Sequence, residues 1–366
     1  MIIGLFTDLL GVGGIQRICR HVALVLESYA RKDNQPVSML SLLDSENTPC
    51  ILGKNFAGGD EDCNSSIRGF SGSRWYFSIA AVSRGVHSHT IICGHVNLSP
   101  LAWLISLLRP SISYIVIVYG IEVWRPLPLI LRTALHRADK IVSISKFTAD
   151  QITEQHRVAP RRVLVIHPTV DPDWDSDVPK VEQESNLLLS VTRLEETEKY
   201  KGVSTVIRAL PAIIAHNPDT QYVIIGDGSD RERLESLGES LGVQDNIRFL
   251  GTLQGRVLRE WYQRSTVFVL PSQGEGFGVV FLEAMALGRP VIAGYHGGSQ
   301  EIVVHGHSGY LVHPGNKDAL VGAITRLLDD PELCRRMGER GRRRFLEKYS
   351  FGKFATRWQR LTEEMA

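Results

Sequence analysis

Residues 267–294 read VFVLPSQGEGFGVVFLEAMALGRPVIAG. The stretch opens on a short apolar run, VFVL, and closes on another, VIAG, each bounded by proline or glycine in the manner of buried strands. Between them lies a glycine-rich turn, then an apolar segment expected to start a helix near Gly278. Strand, turn, helix and strand together form a crossover unit, and such units build parallel sheets covered by helices.

The same alternation runs through the chain. In the first half the predicted strands are IIGLFTD, VSMLSLL, TIICG, YIVIVY, KIVSIS and RVLVIHP, and the helical stretch GIQRICRHVALVLESYA places Ile15, Ile18, Val22 and Val25 on one face. In the second half NLLLSVTRL, QYVIIGDG, IRFLGT, VFVLPS and PVIAG repeat the theme. A chain of 366 residues is long for one core, so the pattern predicts an α/β protein of two doubly wound domains, residues 1–170 and 171–349. The join is expected in HPTVDPDWDSDVPKVEQES, where Pro168, Pro172 and Pro179 interrupt regular structure. Asp171, Asp173, Asp175 and Asp177 there read as a solvated linker or as oxygen ligands for a hard cation. Residues 350–366 are expected to form an amphipathic helix with Phe351, Phe354, Trp358 and Leu361 as its stripe.

Lysines and arginines number 41 against 40 acids, a balance that gives no support to nucleic-acid binding. The distribution is uneven, with 17 basic and 12 acidic side chains in residues 1–170 and 24 and 28 in the remainder. A basic first half suits an anionic acceptor or a lipid surface, or is ordinary variation on a solvated surface. Five scattered cysteines, Cys19, Cys50, Cys63, Cys93 and Cys334, have neither metal-ligand nor redox-pair spacing and suggest a reduced, cytoplasmic chain. The opening MIIGLFTDLLG has no basic leader. LAWLISLLRPSISYIVIVYG is broken at Arg109-Pro110 and reads as a short helix followed by a buried strand, not as a membrane span.

Three glycine-rich turns follow predicted strands: DLLGVGGIQR (8–17), GDGSDRERL (226–234) and SQGEGFGVV (272–280). Each can present backbone N–H groups at a helix start to an anion, and each can be a tight turn needed for packing. The first lacks the G-x-G-x-x-G spacing of a dinucleotide fingerprint. The third carries Glu275 and Glu283 at its mouth. A carboxylate accepts hydrogen bonds and repels phosphate, so its natural partners are donors such as the vicinal hydroxyls of a sugar. With the helix starting near Gly278, the amides of Val279 and Val280 would face a diphosphate and the two acids would lie on either side. A nucleotide sugar, with hydroxyls at both ends and phosphates between, fits that pattern. Arg193 and Lys201, in VTRLEETEKYKG, lie beyond a strand end, where open parallel sheets bind ligands; they can balance the diphosphate or be ordinary surface bases.

EGFGVVFLEAMALGRPVIAGYHGGSQEIVVHGHSGYLVHPGN (275–316), with GGIQR, the RL and KG pairs, SKFTAD and GDG in order, resembles the group-4 family of retaining glycosyltransferases with the GT-B fold. The resemblance covers nearly the whole chain. It implies two Rossmann-like domains facing a cleft, a UDP- or GDP-sugar donor, no metal or other cofactor, and a glycan or lipid-linked acceptor. Bacterial relatives often act in polysaccharide biosynthesis at the inner face of the membrane. It further implies that Arg193 and Lys201 neutralise the diphosphate, that Glu283 binds the ribose, and that Glu275 lies near the donor sugar. Phe277, Gly278 and Val279 would offer backbone contacts, Gly13 and Gly14 would approach the diphosphate, and Arg248 to Gly251 would border the base. The closing helix would cross back to the first domain.

One position departs from the family pattern. Many relatives carry a histidine where this chain has Tyr119, whose hydroxyl could still bond a sugar or phosphate oxygen. His95 could line the acceptor side or be satisfied locally, and Glu122 and Trp124 could contact acceptor or pack the interdomain wall. No carboxylate stands out as the nucleophile of a double displacement, so the resemblance favours front-face transfer. The competing readings are a nucleotide-sugar epimerase or phosphorylase, a dinucleotide-dependent dehydrogenase, and a non-catalytic nucleotide-sugar-binding protein.

Overall fold

The computed structural model describes residues 1–33, 36–45, 66–174 and 181–365. The chain divides into two units, one of Met1–Asp173 with Phe351–Ala366 and one of Trp174–Ser350. Each is built on a parallel sheet.

In the first unit the strands are β1 (Ile2–Phe6), β2 (Val37–Ser41), β3 (Ser66–Gly69), β4 (Thr90–Cys93), β5 (Ser113–Val118), β6 (Lys140–Ser143) and β7 (Val163–Val165), in the order β3-β2-β1-β4-β5-β6-β7. The central strands are apolar along their length, as strands covered on both faces must be; β1 is buried at every position. Strand order reverses between β1 and β4. The second unit repeats the design with β8 (Leu187–Val191), β9 (Gln221–Ile225), β10 (Ile247–Phe249), β11 (Val267–Leu270), β12 (Val291–Gly294) and β13 (Gly309–Val312), ordered β10-β9-β8-β11-β12-β13. Its reversal lies between β8 and β11. At such a point the loops leaving the carboxyl ends of two adjacent strands diverge, which opens a crevice for ligand.

Strands β3 and β13 were absent from the sequence reading. Both are four-residue edge strands with glycine at one end, SIRG with a single apolar residue and GYLV flanked by histidine and glycine, so neither stands out as an apolar run. The apolar stretch around residue 105 resolves as the helix Ser99–Leu108 followed by β5. Among the described residues no helix is long and apolar enough to cross a membrane.

The closing helix Phe351–Glu364 buries Phe354, Trp358 and Leu361 in the first unit, and its Phe351 and Phe354 rings meet the buried His21 edge-on. His21 Nε2 bonds Asp171 Oδ1 at 2.8 Å, and Arg17 reaches Asp171 Oδ2 at 2.7 Å. Asp171 is thus neither a solvated linker residue nor a cation ligand: it anchors the end of the first unit to the helix Gly14–Asp33. Burial alone would raise its carboxyl, but His21 and Arg17 outweigh that and hold it well below the usual carboxylate range. Asp175 and Asp177 lie outside the described residues, as do Cys50 and Cys63. Cys19, Cys93 and Cys334 are buried and free.

Candidate functional site

The loop leaving β8 is held by the GDG turn that leaves β9. Thr192 N–H donates to Ile225 O at 2.9 Å, Leu194 N–H to Asp227 O at 2.9 Å, and Asp230 N–H to Leu194 O at 2.7 Å. Gly226 and Gly228 have φ of +138° and +151°, and a Cβ on Gly226 would stand 1.8 Å from Thr192 O. The turn is glycine-rich because two backbones meet there. It fixes Arg193 on the loop beyond β8. Gly251 joins this assembly by accepting from Gly226 N–H at 2.8 Å.

The chain then makes a short 3-10 segment, Glu196–Lys201, and enters the helix Val203–His216 through Gly202 at φ +82°. A Cβ on Gly202 would lie 2.7 Å from Pro271 O, so only glycine lets this helix start abut the end of β11. That contact brings Lys201 to Glu275: Nζ donates to Oε1 at 2.7 Å, with side chains 18 % and 9 % exposed. The ion pair spans the switch point, since Lys201 follows β8 and Glu275 follows β11. Burial would lower the Lys201 pKa, but Glu275, with Tyr200 and Glu198, reverses this and leaves it raised. The ammonium also lies over the Tyr200 ring, 5.3 Å from its centroid. Arg193 pairs with Glu198 and keeps most of its side chain in solvent, 68 % exposed. Arg193, Glu198 and Lys201 line one crevice with Gly202 and Asp230.

On the β11 side, Gly278 at φ +103° caps the helix Val279–Ala286. The first turn of a helix leaves its amides without intrahelical acceptors, and here these include Val279 and Val280. Phe277 is buried, and its ring meets Tyr349 edge-on. Glu283, one turn into the helix, is buried and accepts from the Tyr262 hydroxyl at 2.5 Å. The loop 272–277 is backed by the glycines that follow β12. Gly298 N–H donates to Glu275 O at 2.9 Å, and a Cβ on Gly294, Gly297 or Gly298 would collide with the backbone of Ser272, Glu275 or Phe277. Lys201, Glu275, Gly278 and the helix start after it therefore gather at one edge of the second sheet, with Arg193 beside Lys201.

Arg248 does not join them. Its guanidinium lies over the Trp261 ring, 5.5 Å from the centroid, and reaches Glu184, which precedes β8, at 3.4 Å. It is directed to the amino ends of the strands, away from the edge where Lys201 and Glu275 meet, because the β10 pleat hands it to the helix Gly255–Arg264.

In the first unit, Gly13 and Gly14 open the long helix after β1, and His95 follows β4, so they flank that unit's own switch point. Asp8 accepts from Leu10 and Gly11 amides at 3.2 and 2.9 Å, which fixes the loop before the glycines. Tyr119 departs from expectation. Its hydroxyl turns inward, donating to Gly94 O at 2.7 Å and lying 3.1 Å from Cys19 Sγ, and burial raises the phenol well above its ordinary value. A residue 4 % exposed with its hydroxyl so engaged is a strut for the β4 and β5 ends, not an acceptor contact. Glu122 accepts from Tyr119 N–H at 2.5 Å and closes the turn after β5, which is a packing role for that oxygen. Trp124 likewise packs, edge-on to Phe147. His95 accepts from Asn97 N–H at 3.2 Å and stacks on Tyr119, and burial, opposed by Glu122, lowers its pKa, so the ring is a neutral imidazole.

Tyr262, Glu198 and Tyr200 escaped the sequence reading. No spacing links Tyr262 to Glu283, 21 residues on, and the other two read as part of a charged loop. Among the described residues no group of three His, Cys, Asp or Glu side chains could hold a metal ion.

The sequence family described as "Glycosyl transferases group 1" matches residues 173–344, and "Glycosyltransferase Family 4" matches residues 68–174. A GDP-mannose-dependent alpha-(1-6)-phosphatidylinositol monomannoside mannosyltransferase of Mycolicibacterium smegmatis is 32 % identical over 267 residues, 67 % of this chain and 68 % of that one. An uncharacterized glycosyltransferase of Methanocaldococcus jannaschii is 31 % identical over 229 residues, 59 % of this chain and 57 % of its own length. This chain thus spans between about half and two thirds of those relatives. In three dimensions it is similar to HepE of Anabaena, solved in complex with UDP, with a TM-score of 0.79 over the whole of both chains at 16 % identity. Two parallel doubly wound sheets, the glycine-held loops at the second switch point and these matches lead to one assignment: the chain belongs to the group 1, family 4 glycosyltransferases and has the GT-B fold.

Proposed function

We propose that the chain moves a glycosyl group from a UDP- or GDP-sugar to a hydroxyl of a glycan or lipid-linked acceptor, with retained configuration and without a metal ion, in polysaccharide biosynthesis. The observation that carries this reading is the Lys201–Glu275 pair across the β8/β11 switch point, 2.7 Å long and beside the Val279 helix start. It offers a cation and helix amides to a diphosphate and a carboxylate to sugar hydroxyls. The mycobacterial relative, named for a GDP-mannose donor and a phosphatidylinositol-based acceptor, supports a nucleotide-sugar donor and a lipid-linked acceptor.

In the proposed reaction the bond between the anomeric carbon and the diphosphate oxygen breaks, and its electron pair stays on that oxygen. Lys201, Arg193 and the helix start stabilise the growing charge, and preorganised groups of this kind supply much of an enzyme's rate enhancement. The acceptor hydroxyl bonds the anomeric carbon on the face the diphosphate leaves, and its proton passes to the departing oxygen. Glu275 holds Lys201 in place and receives donor-sugar hydroxyls, while Glu283, oriented by Tyr262, receives those of the ribose.

A thermal-shift series with UDP, GDP, UDP-glucose, UDP-GlcNAc and GDP-mannose, each with and without EDTA, tests the reading. One nucleotide series should raise Tm with concentration, unaffected by EDTA. No stabilisation by any of them would overturn the proposal. Stabilisation with no nucleotide release on adding glycan and lipid-glycan acceptors would select a binding protein instead.

A further inference from the structure

The loop after β8 holds a second ion pair, between Arg193 and Glu198, and its two ends differ in burial: the arginine side chain is 68 % exposed, the glutamate 13 %. Nη2 of Arg193 donates to Oε1 of Glu198, while among the described residues Nε and Nη1 have no hydrogen-bond partner. A guanidinium offers five donors in a planar fork, so this contact leaves most of it unused. Glu198 stands where the 3-10 segment Glu196–Lys201 kinks, and its own N–H donates to Glu195 O at 2.8 Å. The turn is fixed from the β9 side as well. Glu196 N–H donates to Ser229 Oγ at 3.0 Å, and that hydroxyl donates to Glu195 Oε2 at 2.9 Å. The second oxygen of Glu198, Oε2, is buried without a hydrogen-bond partner among the described residues. Neighbouring charges are already matched: Arg233 reaches Asp230 through two bonds, Lys199 pairs with Glu196, and Lys201 with Glu275.

We propose that Glu198 is a positioning residue for the donor diphosphate: it grips Arg193 by one nitrogen and leaves the rest of the fork to meet phosphate oxygens. The proposal rests on the nucleotide-sugar reading above. The rival use of such a pair is as a placeholder, a carboxylate that occupies Arg193 until phosphate displaces it. The burial of the two ends decides between them. Pulling Arg193 away would leave a poorly solvated carboxylate with neither oxygen bonded, and a buried charge stripped of its partner is strongly unfavourable. Phosphate on the free edge of the fork strips nothing. A planar guanidinium can serve a carboxylate on one side and a phosphate on the other, whereas a lysine at 193 would bring a single point charge on a flexible stem.

Calorimetric titration of UDP and of GDP into the full chain tests this. For whichever nucleotide wild type takes, E198A should weaken binding about tenfold, and E198Q, which keeps an acceptor oxygen for Nη2, about threefold, with circular dichroism unchanged in both. R193K should also lose about tenfold although it keeps the charge. Added to R193M, E198A should cost at most about twofold more, because its effect passes through Arg193. Unchanged binding in E198A overturns the proposal, and tighter binding overturns it in favour of the placeholder. A loss from E198A as large on R193M as on wild type also overturns it, since Glu198 would then act on the fold and not on Arg193. If wild type takes neither nucleotide, the nucleotide-sugar reading fails and this proposal falls with it.

Discussion

Substituting Lys201 by methionine separates what the Lys201–Glu275 pair does for the fold from what it does for the reaction. The change keeps the apolar stem and removes the ammonium 2.7 Å from Glu275 Oε1, leaving a carboxylate whose side chain is only 9 % exposed. An uncompensated buried charge costs about 3–5 kcal/mol; the residual solvent contact around Lys201 reduces this to about 1–3 kcal/mol. For a domain of 150–250 residues that is a fall in Tm of roughly 2–12 °C. Turnover should fall more, about 10²–10³-fold, the effect of removing one preorganised group from a developing anion. The double variant K201M/E275Q leaves neither member of this pair charged, so its Tm should return towards wild type while nucleotide release stays low. Because the Lys201 pKa is raised from its ordinary 10.5, the pair's stabilisation is fully present below that value and is lost only as pH rises through the higher folded one. The Tm difference between wild type and K201M should therefore be constant from about pH 6 to 9. Thermal unfolding and release of UDP or GDP from the stabilising donor supply both readouts. Wild-type turnover in K201M, or recovery of turnover together with Tm in the double variant, would refute the reasoning.

Three further outcomes are expected. Glu283→Gln keeps the shape but removes the charge that Tyr262 bonds, and should weaken binding of the stabilising nucleotide about tenfold, or ~1.4 kcal/mol, by calorimetry; an unchanged Kd would remove Glu283 from the ribose role. Gly298→Ala sets a Cβ 2.5 Å from Phe277 Cα and should destabilise by about 1–3 kcal/mol while shifting the Glu275 loop, so normal Tm and normal nucleotide affinity would contradict the backing role of the glycines. His21 is buried with its pKa lowered by desolvation, Asp171 opposing, and its Nδ1 has no hydrogen-bond partner among the described residues. Unfolded, it takes a proton near 6.5 and folded only at lower pH, so the unfolded state binds more protons and stability falls as pH drops from 7 to 5. That fall should shrink in His21→Gln, measured by urea unfolding at each pH.

The alternation of β-rich runs with helical stretches was enough to foresee two parallel sheets, because a strand covered on both faces must be apolar throughout and the helix after it must show one apolar stripe. Edge strands β3 and β13 did not show, since SIRG has a single apolar residue and GYLV sits within the histidine- and glycine-rich HGHSGYLVHPGN, whereas the equally short β11, VFVL, is an unbroken apolar run. The gathering of Lys201, Glu275 and the helix start that carries Glu283 at one sheet edge was readable because each sits at a fixed step from a strand end or glycine turn. Tyr262 was invisible for the opposite reason: its partner Glu283 belongs to another helix, and a tyrosine on an amphipathic helix looks like core until the fold turns it. Arg248 failed similarly. Its position in sequence placed it near the GDG–Gly251 assembly, but the strand's pleat sent its side chain to Trp261 and Glu184.

The glycines explain why the site could be read at all. Gly202, Gly226, Gly294, Gly297 and Gly298 each stand where a Cβ would meet backbone of the loops after β8 or β11. These loops carry the charged groups, and loops alone are poor at holding charges of opposite sign 2.7 Å apart. Clasping each loop with a second, side-chain-free backbone transfers the rigidity of the sheet to its edge. The consequence is specific: alanine at any of these glycines should disturb Lys201–Glu275 while leaving both side chains in the sequence, whereas alanine at Gly242, Gly288 or Gly315, where a Cβ meets nothing within 4 Å, should cost only the strain of a positive φ.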